Sequence, residues 1–136
     1  MKPEVPTVSF KALQDAVAQL QASSKRFSEQ VNRLDKAGHS LSPSSGEALD
    51  QILFSSERAL TRSSGLPKRP WFKHQIYAPG LYTGYGVKTL PAVREAIEQR
   101  DWNQAREQIV LVAETIQGLI GEIDRATEVV KVNLRR

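Results

Sequence analysis

Apolar residues recur near the start of the chain at Phe10, Leu13, Val17, Leu20, Phe27, Val31 and Leu34. Steps of three, four and one seven put them on a single stripe of a helix. The spacing predicts one helix over residues 8–37, roughly 40 Å long at about 1.5 Å per residue. Ser23 and Ser24 interrupt the stripe where a leucine is expected, so packing should thin there. Gly38 follows as a helix stop. A second stripe, Leu49, Ile52, Leu53, Ser56, Ala59 and Leu60, predicts a helix over 44–62. Ser44 or Ser45 would cap it, with Glu47 completing a capping box with Ser44. It fails at Ser63-Ser64-Gly65. A short helix over 90–100 follows, with Thr89 as cap, Pro91 in its first turn, and Val93, Ala96 and Ile97 inward. Asp101 then caps a last helix over 102–133, with Gln104 as capping-box partner. Ala105, Ile109, Val112, Ile116, Leu119, Ile123 and Val130 keep its register, and Val110, Leu111 and Ile120 widen the stripe. So broad a face suggests contacts on two sides, and Leu111, Val112 and Leu119 are the expected interface. Lys131, Arg135 and Arg136 at its end suit the helix dipole.

No useful run of strand alternation occurs. The pattern predicts a single all-α domain over 1–136, an antiparallel bundle of about four helices. A long ordered crossover over 65–89 interrupts it. That crossover is the least helical and most aromatic part of the chain. The run 67-PKRPWFKHQIYAPGLYTGYGVKTLP-91 holds four of the seven prolines, all three tyrosines and one of the two tryptophans. Trp71, Phe72, Ile76 and Tyr77 are expected to pack on the bundle. Tyr82 and Tyr85 sit between glycines, where the backbone can approach another surface closely.

Composition narrows the chemistry. The absence of cysteine removes disulfides, thiol nucleophiles and cysteine-based zinc sites. Only His39 and His74 are present, neither at ligand spacing from the other, so no metal site is expected in this chain. No H-E-x-x-H or G-x-S-x-G pattern occurs, and the glycines of 80-GLYTGYG-86 lack the spacing and the G-K-[ST] of a phosphate loop. The net charge of +4 is spread among acids, and its densest cluster, Lys68, Arg69 and Lys73, is short. A nucleic-acid partner calls for a concentrated basic face, so none is expected. No apolar run approaches the roughly 18 residues of a membrane span, and MKPEVPTVSF has no apolar core of a signal peptide. Direct membrane contact is therefore not expected, and the compartment stays open. No catalytic set is complete, so the chain alone is expected to be inactive.

The run 65-GLPKRPWFKHQIYAPGLYTGYGVKTLPAVREAI-97 resembles the transferrin-receptor-like dimerisation domain. This is the C-terminal helical part of the glutamate carboxypeptidase II-like zinc peptidases and of transferrin receptor. Gly65-Leu66-Pro67, Arg69-Pro70, His74, Ile76-Tyr77-Ala78-Pro79, Tyr85 and Pro91 carry the likeness. SSKRFSEQVNRLD, LDQILFSSERALTRSSGLP and RDWNQAREQIVLVAETIQGL are similar to the flanking helices. The resemblance implies a homodimer and a preceding protease domain of the same parent chain. It implies zinc in that protease domain, with no cofactor here. It also implies that the crossover reaches the substrate pocket. There the family binds a terminal glutamate with a Lys-Tyr pair. The tyrosine matches Tyr85, whereas the lysine position falls on Gly84, so the resemblance leaves glutamate specificity open. His74, Tyr77, Tyr82 and Lys88 are the further pocket or packing candidates. A free-standing helical interaction module of the same type is the alternative reading.

Overall fold

The computed structural model describes residues 4–135. Arg136, counted above among the terminal cations, lies outside the described residues, as do residues 1–3 of the opening segment. The helices are α1 (Lys11–Lys36), α2 (Pro43–Ser56), α3 (Pro91–Glu98) and α4 (Trp102–Leu134), with a 3-10 turn at Glu57–Leu60. The all-α class holds, with one small addition. Tyr77–Pro79 (β1) and Val87–Thr89 (β2) pair as an antiparallel hairpin, with Ala78 opposite Lys88. Strands of three residues are too short to show alternation in the sequence.

The 33-residue α4 is the mast of the fold, and α1, α2, the 3-10 turn and α3 all pack on it. Side-chain bonds from Gln117 to Gln19 and from Ser23 to Asp124 climb both helices together, so α1 and α4 run the same way. Contacts of Asn133 with Ser42, of Gly118 with Ala59 and of Leu111 with Arg62 descend α2 and its extension, which run against α4. Leu13 and Ala16 of α1, Val93 of α3, and Ile109, Val112, Ile116 and Ile120 of α4 share one core. A second, smaller core of Leu66, Ala78 and Ala92, with Phe72 against it, lies beneath the crossover.

Several ends differ from the pattern. Ser42, not Ser44 or Ser45, caps α2, its hydroxyl accepting from the Ser45 amide at 3.2 Å. Pro43 at the first helical position favours this start, since its missing N–H would be unpaired there anyway. Leu90, rather than Thr89, precedes α3, in left-handed conformation and without a side-chain cap. Asp101 caps α4 as expected, accepting from the Gln104 amide at 3.0 Å. Gly38, with φ +66°, closes α1, and the His39 amide reaches back to the Leu34 carbonyl.

The α1 stripe is only partly inward. Phe10, Val17 and Val31 are exposed, while Leu13, Ala16 and Leu34 are buried. The serine gap is not thin packing: Ser23 is 0% exposed, and its hydroxyl donates to Asp124 Oδ1 at 2.5 Å. A small side chain is what lets α1 and α4 approach there. On α2, Leu53 faces solvent and no residue is fully buried.

Candidate functional site

The crossover doubles back on itself before it forms the hairpin. Arg62 N donates to Lys73 O, Leu66 N to Phe72 O and Gln75 N to Leu60 O. Gly65 makes the tightest turn: its φ is +67°, and a Cβ there would lie 2.2 Å from the Pro70 carbonyl oxygen. Phe72 and Ile76 pack inward, but Trp71 does not. It is 70% exposed, and Tyr77 is also exposed, so two of the three expected aromatic anchors are surface residues.

Beyond β1 the chain leaves the body of the domain as a tip over 80–86. Backbone bonds from Gly84 N to Gly80 O and from Tyr85 N to Thr83 O close it. Gly84 has φ +62°, a conformation glycine adopts freely. Gly80 is needed for a different reason, because a Cβ would meet Thr83 Oγ1 at 2.3 Å. At the tip Tyr82 is 75% exposed and Tyr85 is 104% exposed. Neither ring touches the bundle's core, and Val87 extends the same uncovered surface onto β2.

One buried ion pair holds the base of this tip. Arg69 and Glu95 are 3% and 7% exposed, and Arg69 Nη2 donates to both Glu95 oxygens at 2.8 and 2.9 Å. Arg69 Nη1 also donates to the Pro79 carbonyl at 2.5 Å, and Glu95 Oε1 accepts from the Leu81 amide at 2.9 Å. The Phe72 ring lies 5.6 Å from the guanidinium carbon. Sequence reasoning named Arg69 only in a basic cluster and in the family likeness, and missed Glu95 and the pairing. The signal was Glu95 on the inward side of α3, between Ala92 and Ala96, with an arginine in an otherwise aromatic run.

The other cations of the crossover are engaged. Lys88 Nζ meets Glu98 at 2.5 Å, Lys68 Nζ meets Gln99 Oε1 at 2.7 Å, and Lys73 Nζ meets Ser63 O at 2.5 Å. Lys88, only 17% exposed, lies back over Gly80 and α3, away from Tyr85. The Lys88 contact, with Arg94 behind it, draws the Glu98 carboxyl below its ordinary value.

His74 is structural in its geometry. Its Nδ1 accepts from the Ile76 and Tyr77 amides at 3.2 and 3.3 Å, and its ring stacks on Tyr77 at 3.9 Å between centroids. Tyr77 in turn donates to Glu57 Oε1 at 2.6 Å, which raises its own pKa. Burial pushes the His74 imidazole below 6.5, with Glu57 at 3.8 Å pulling weakly the other way. His39 lies in the turn before α2, far along the chain from any of these groups. Among the described residues no three His, Asp or Glu side chains gather to hold a metal. No helix among them is long and apolar enough to cross a membrane.

The expected interface residues divide. Val112 is 0% exposed and lies inside the core, so its side chain has no surface to offer a partner. Leu111 is half-buried beside Arg62, whose guanidinium reaches its carbonyl. Leu119 lines a groove of about 650 Å³ between α1, α4 and the crossover, with Phe10, Val17, Leu20, Ile76 and Leu90.

A helical scaffold that presents one aromatic hairpin and one apolar groove has the outline of an assembly domain. The model of the transferrin receptor-like dimerisation domain matches residues 8–123, and the chain belongs to that family. It is 40% identical over 76 residues to a probable glutamate carboxypeptidase, LAMP1, of Arabidopsis thaliana. It is 32% identical over 108 residues to a probable glutamate carboxypeptidase of Arthroderma benhamiae. These matches cover 51% and 79% of this chain but 11% and 13% of the relatives' lengths, in their C-terminal regions.

Proposed function

We propose that this domain joins two copies of its parent protein and that the tip at 80–86 completes a substrate pocket on a protease domain of that parent. The parent would be a zinc-dependent exopeptidase, with the metal held by the protease domain. The observation that carries the reading is the tip itself: two exposed tyrosines on a hairpin whose base is held by a buried ion pair. Aromatic rings on a firmly held loop give a large contact area at small entropic cost.

Tyr85 is the residue we assign to ligand contact, with Gly84 setting the backbone that presents it. Tyr82 is a second contact of the same kind. His74 and Tyr77 support the hairpin from behind, and Lys88 ties it to α3. The tip carries no charged side chain between Gly80 and Gly86. It therefore grips a substrate through tyrosine rings and hydroxyls and through backbone amides, without a cation of its own for an acidic terminal residue.

Two experiments test the two halves. In the longer protein that carries the domain, Tyr85→Phe is expected to raise KM or lower kcat while the bundle stays folded. Unchanged kinetics would remove the pocket role. Self-association is assigned to the groove that includes Leu119, with Phe10 and Val17 as exposed apolar contacts. The isolated chain should sediment as a concentration-dependent dimer, and Val17→Glu should shift it to monomer with helicity intact. A monomer at every concentration would refute the assignment.

A further inference from the structure

We infer that the Arg69–Glu95 pair sets the direction in which the tip points, making both residues positioning residues for Tyr85; this rests on the reading that the tip meets a ligand. The tip cannot orient itself, because Tyr82 and Tyr85 pack against nothing in the core. Its direction is decided at Gly80. There the pair acts on both sides at once: Arg69 holds the Pro79 carbonyl before it and Glu95 holds the Leu81 amide after it. Glu95 stands on α3, and α3 is fixed to the main core through Val93. A rigid line thus runs from the core of the bundle to the two peptide groups that flank the root of the tip.

A pair serving only overall stability would not need this arrangement. Burying two charges is costly, and apolar residues of similar volume often replace such a pair without loss of stability. What apolar residues cannot supply is a donor for Pro79 and an acceptor for Leu81. Each partner uses its remaining polar valences on the backbone of the hairpin rather than on solvent. Within the pair, Arg69 Nε is left buried without a partner, so the guanidinium is placed for Glu95 and Pro79 at the expense of its third edge.

The test uses the isolated chain. Arg69→Lys keeps the charge, yet one ammonium cannot reproduce the guanidinium's two-directional grip on Glu95 and Pro79. The expected result is exchange of the Leu81 and Gly84 amides faster by about tenfold or more, with the amides of α1 and α4 held near wild-type rates. Glu95→Gln, which retains an oxygen for Leu81 but loses the charge, should loosen the tip less. Equal loosening across the bundle and the tip would show a merely structural pair and overturn the inference. So would a charge-reversed pair, Arg69→Glu with Glu95→Arg, that restored slow exchange at Leu81. Should Arg69→Lys fail to fold, the wild-type chain decides: a Leu81 amide exchanging as fast as Gly86 would overturn the inference, and a protected one supports it. A loosened tip combined with unchanged Tyr85→Phe kinetics would leave the positioning intact and remove the pocket reading instead.

Discussion

Replacing Ser23 by alanine removes a single hydroxyl from the seam where α1 meets α4. That hydroxyl donates to Asp124 Oδ1 at 2.5 Å from a side chain with no exposed surface. A hydrogen bond to a charged group contributes about 1.5–3 kcal/mol when both partners are sheltered. Asp124 is not sheltered: its side chain is 48% exposed and Arg26 Nη2 also reaches it at 3.1 Å. Water and Arg26 partly replace the lost donor, so the expected loss is about 1–1.5 kcal/mol. For a chain of this size that lowers Tm by about 3–6 °C. The exposed neighbour Ser24, changed to alanine, should stay within about 0.5 kcal/mol of wild type. The bond with Ser23, followed by Arg26, holds the Asp124 carboxyl below its ordinary 3.8 against the opposing effect of burial. A depressed carboxyl stabilises the fold fully above its unfolded value and loses that contribution as pH falls through the folded one. The penalty for Ser23→Ala should therefore be complete at neutral pH and shrink below pH 3.8. Urea unfolding followed by circular dichroism at several pH values measures both. A variant as stable as wild type at neutral pH, or a penalty that persists unchanged in acid, would refute the reasoning.

Two further expectations bear on the crossover. Gly65→Ala and Gly38→Ala both place a side chain at positive φ, but only Gly65 would drive its Cβ against backbone. Gly38→Ala should cost about 1 kcal/mol and Gly65→Ala about 2–4 kcal/mol, and equal losses in denaturation would contradict the clash. His74 folds with a pKa below 6.5, so the stability it lends is present above that value and declines as pH falls below it. His74→Asn keeps an acceptor for the Ile76 and Tyr77 amides without a titrating ring. Its stability should respond less to acidification from pH 7 than wild type does, and matching profiles would exclude His74 as the source.

Legibility followed the range of the interactions involved. The stripes of α1 and α4 and the Asp101 cap depend on residues three or four apart, and all three stood plainly in the sequence. Ser23 did not, because its partner lies 101 positions away. A small polar residue in an apolar stripe then looks the same whether it marks a gap or a close approach. The Arg69–Glu95 pair spans 26 positions and was equally hidden, although Glu95 between two buried alanines was the available hint. Trp71 shows the opposite error, since aromatic character alone does not say which side of a turn a ring will take. The exposure of Tyr82 and Tyr85 fits the glycines around them, a local feature that the sequence displays. The apolar groove was not, because α1, α4 and the crossover form it only after folding.

The tip at 80–86 joins two segments of the chain that the main core also holds together by packing. The segment before it carries α1 and α2, the segment after it carries α3 and α4, and the main core draws Leu13 and Ala16 from the first and Ile109, Val112 and Ile116 from the second. A chymotryptic nick at Tyr82 or Tyr85 should therefore leave two fragments that migrate together until denatured. Residues inserted after Leu81, or a foreign loop that keeps Gly80 and an amide for Glu95, face few further demands from the scaffold beyond closing a short gap. Natural selection has the same freedom: it can rewrite what the hairpin touches while the helices that carry it remain as they are.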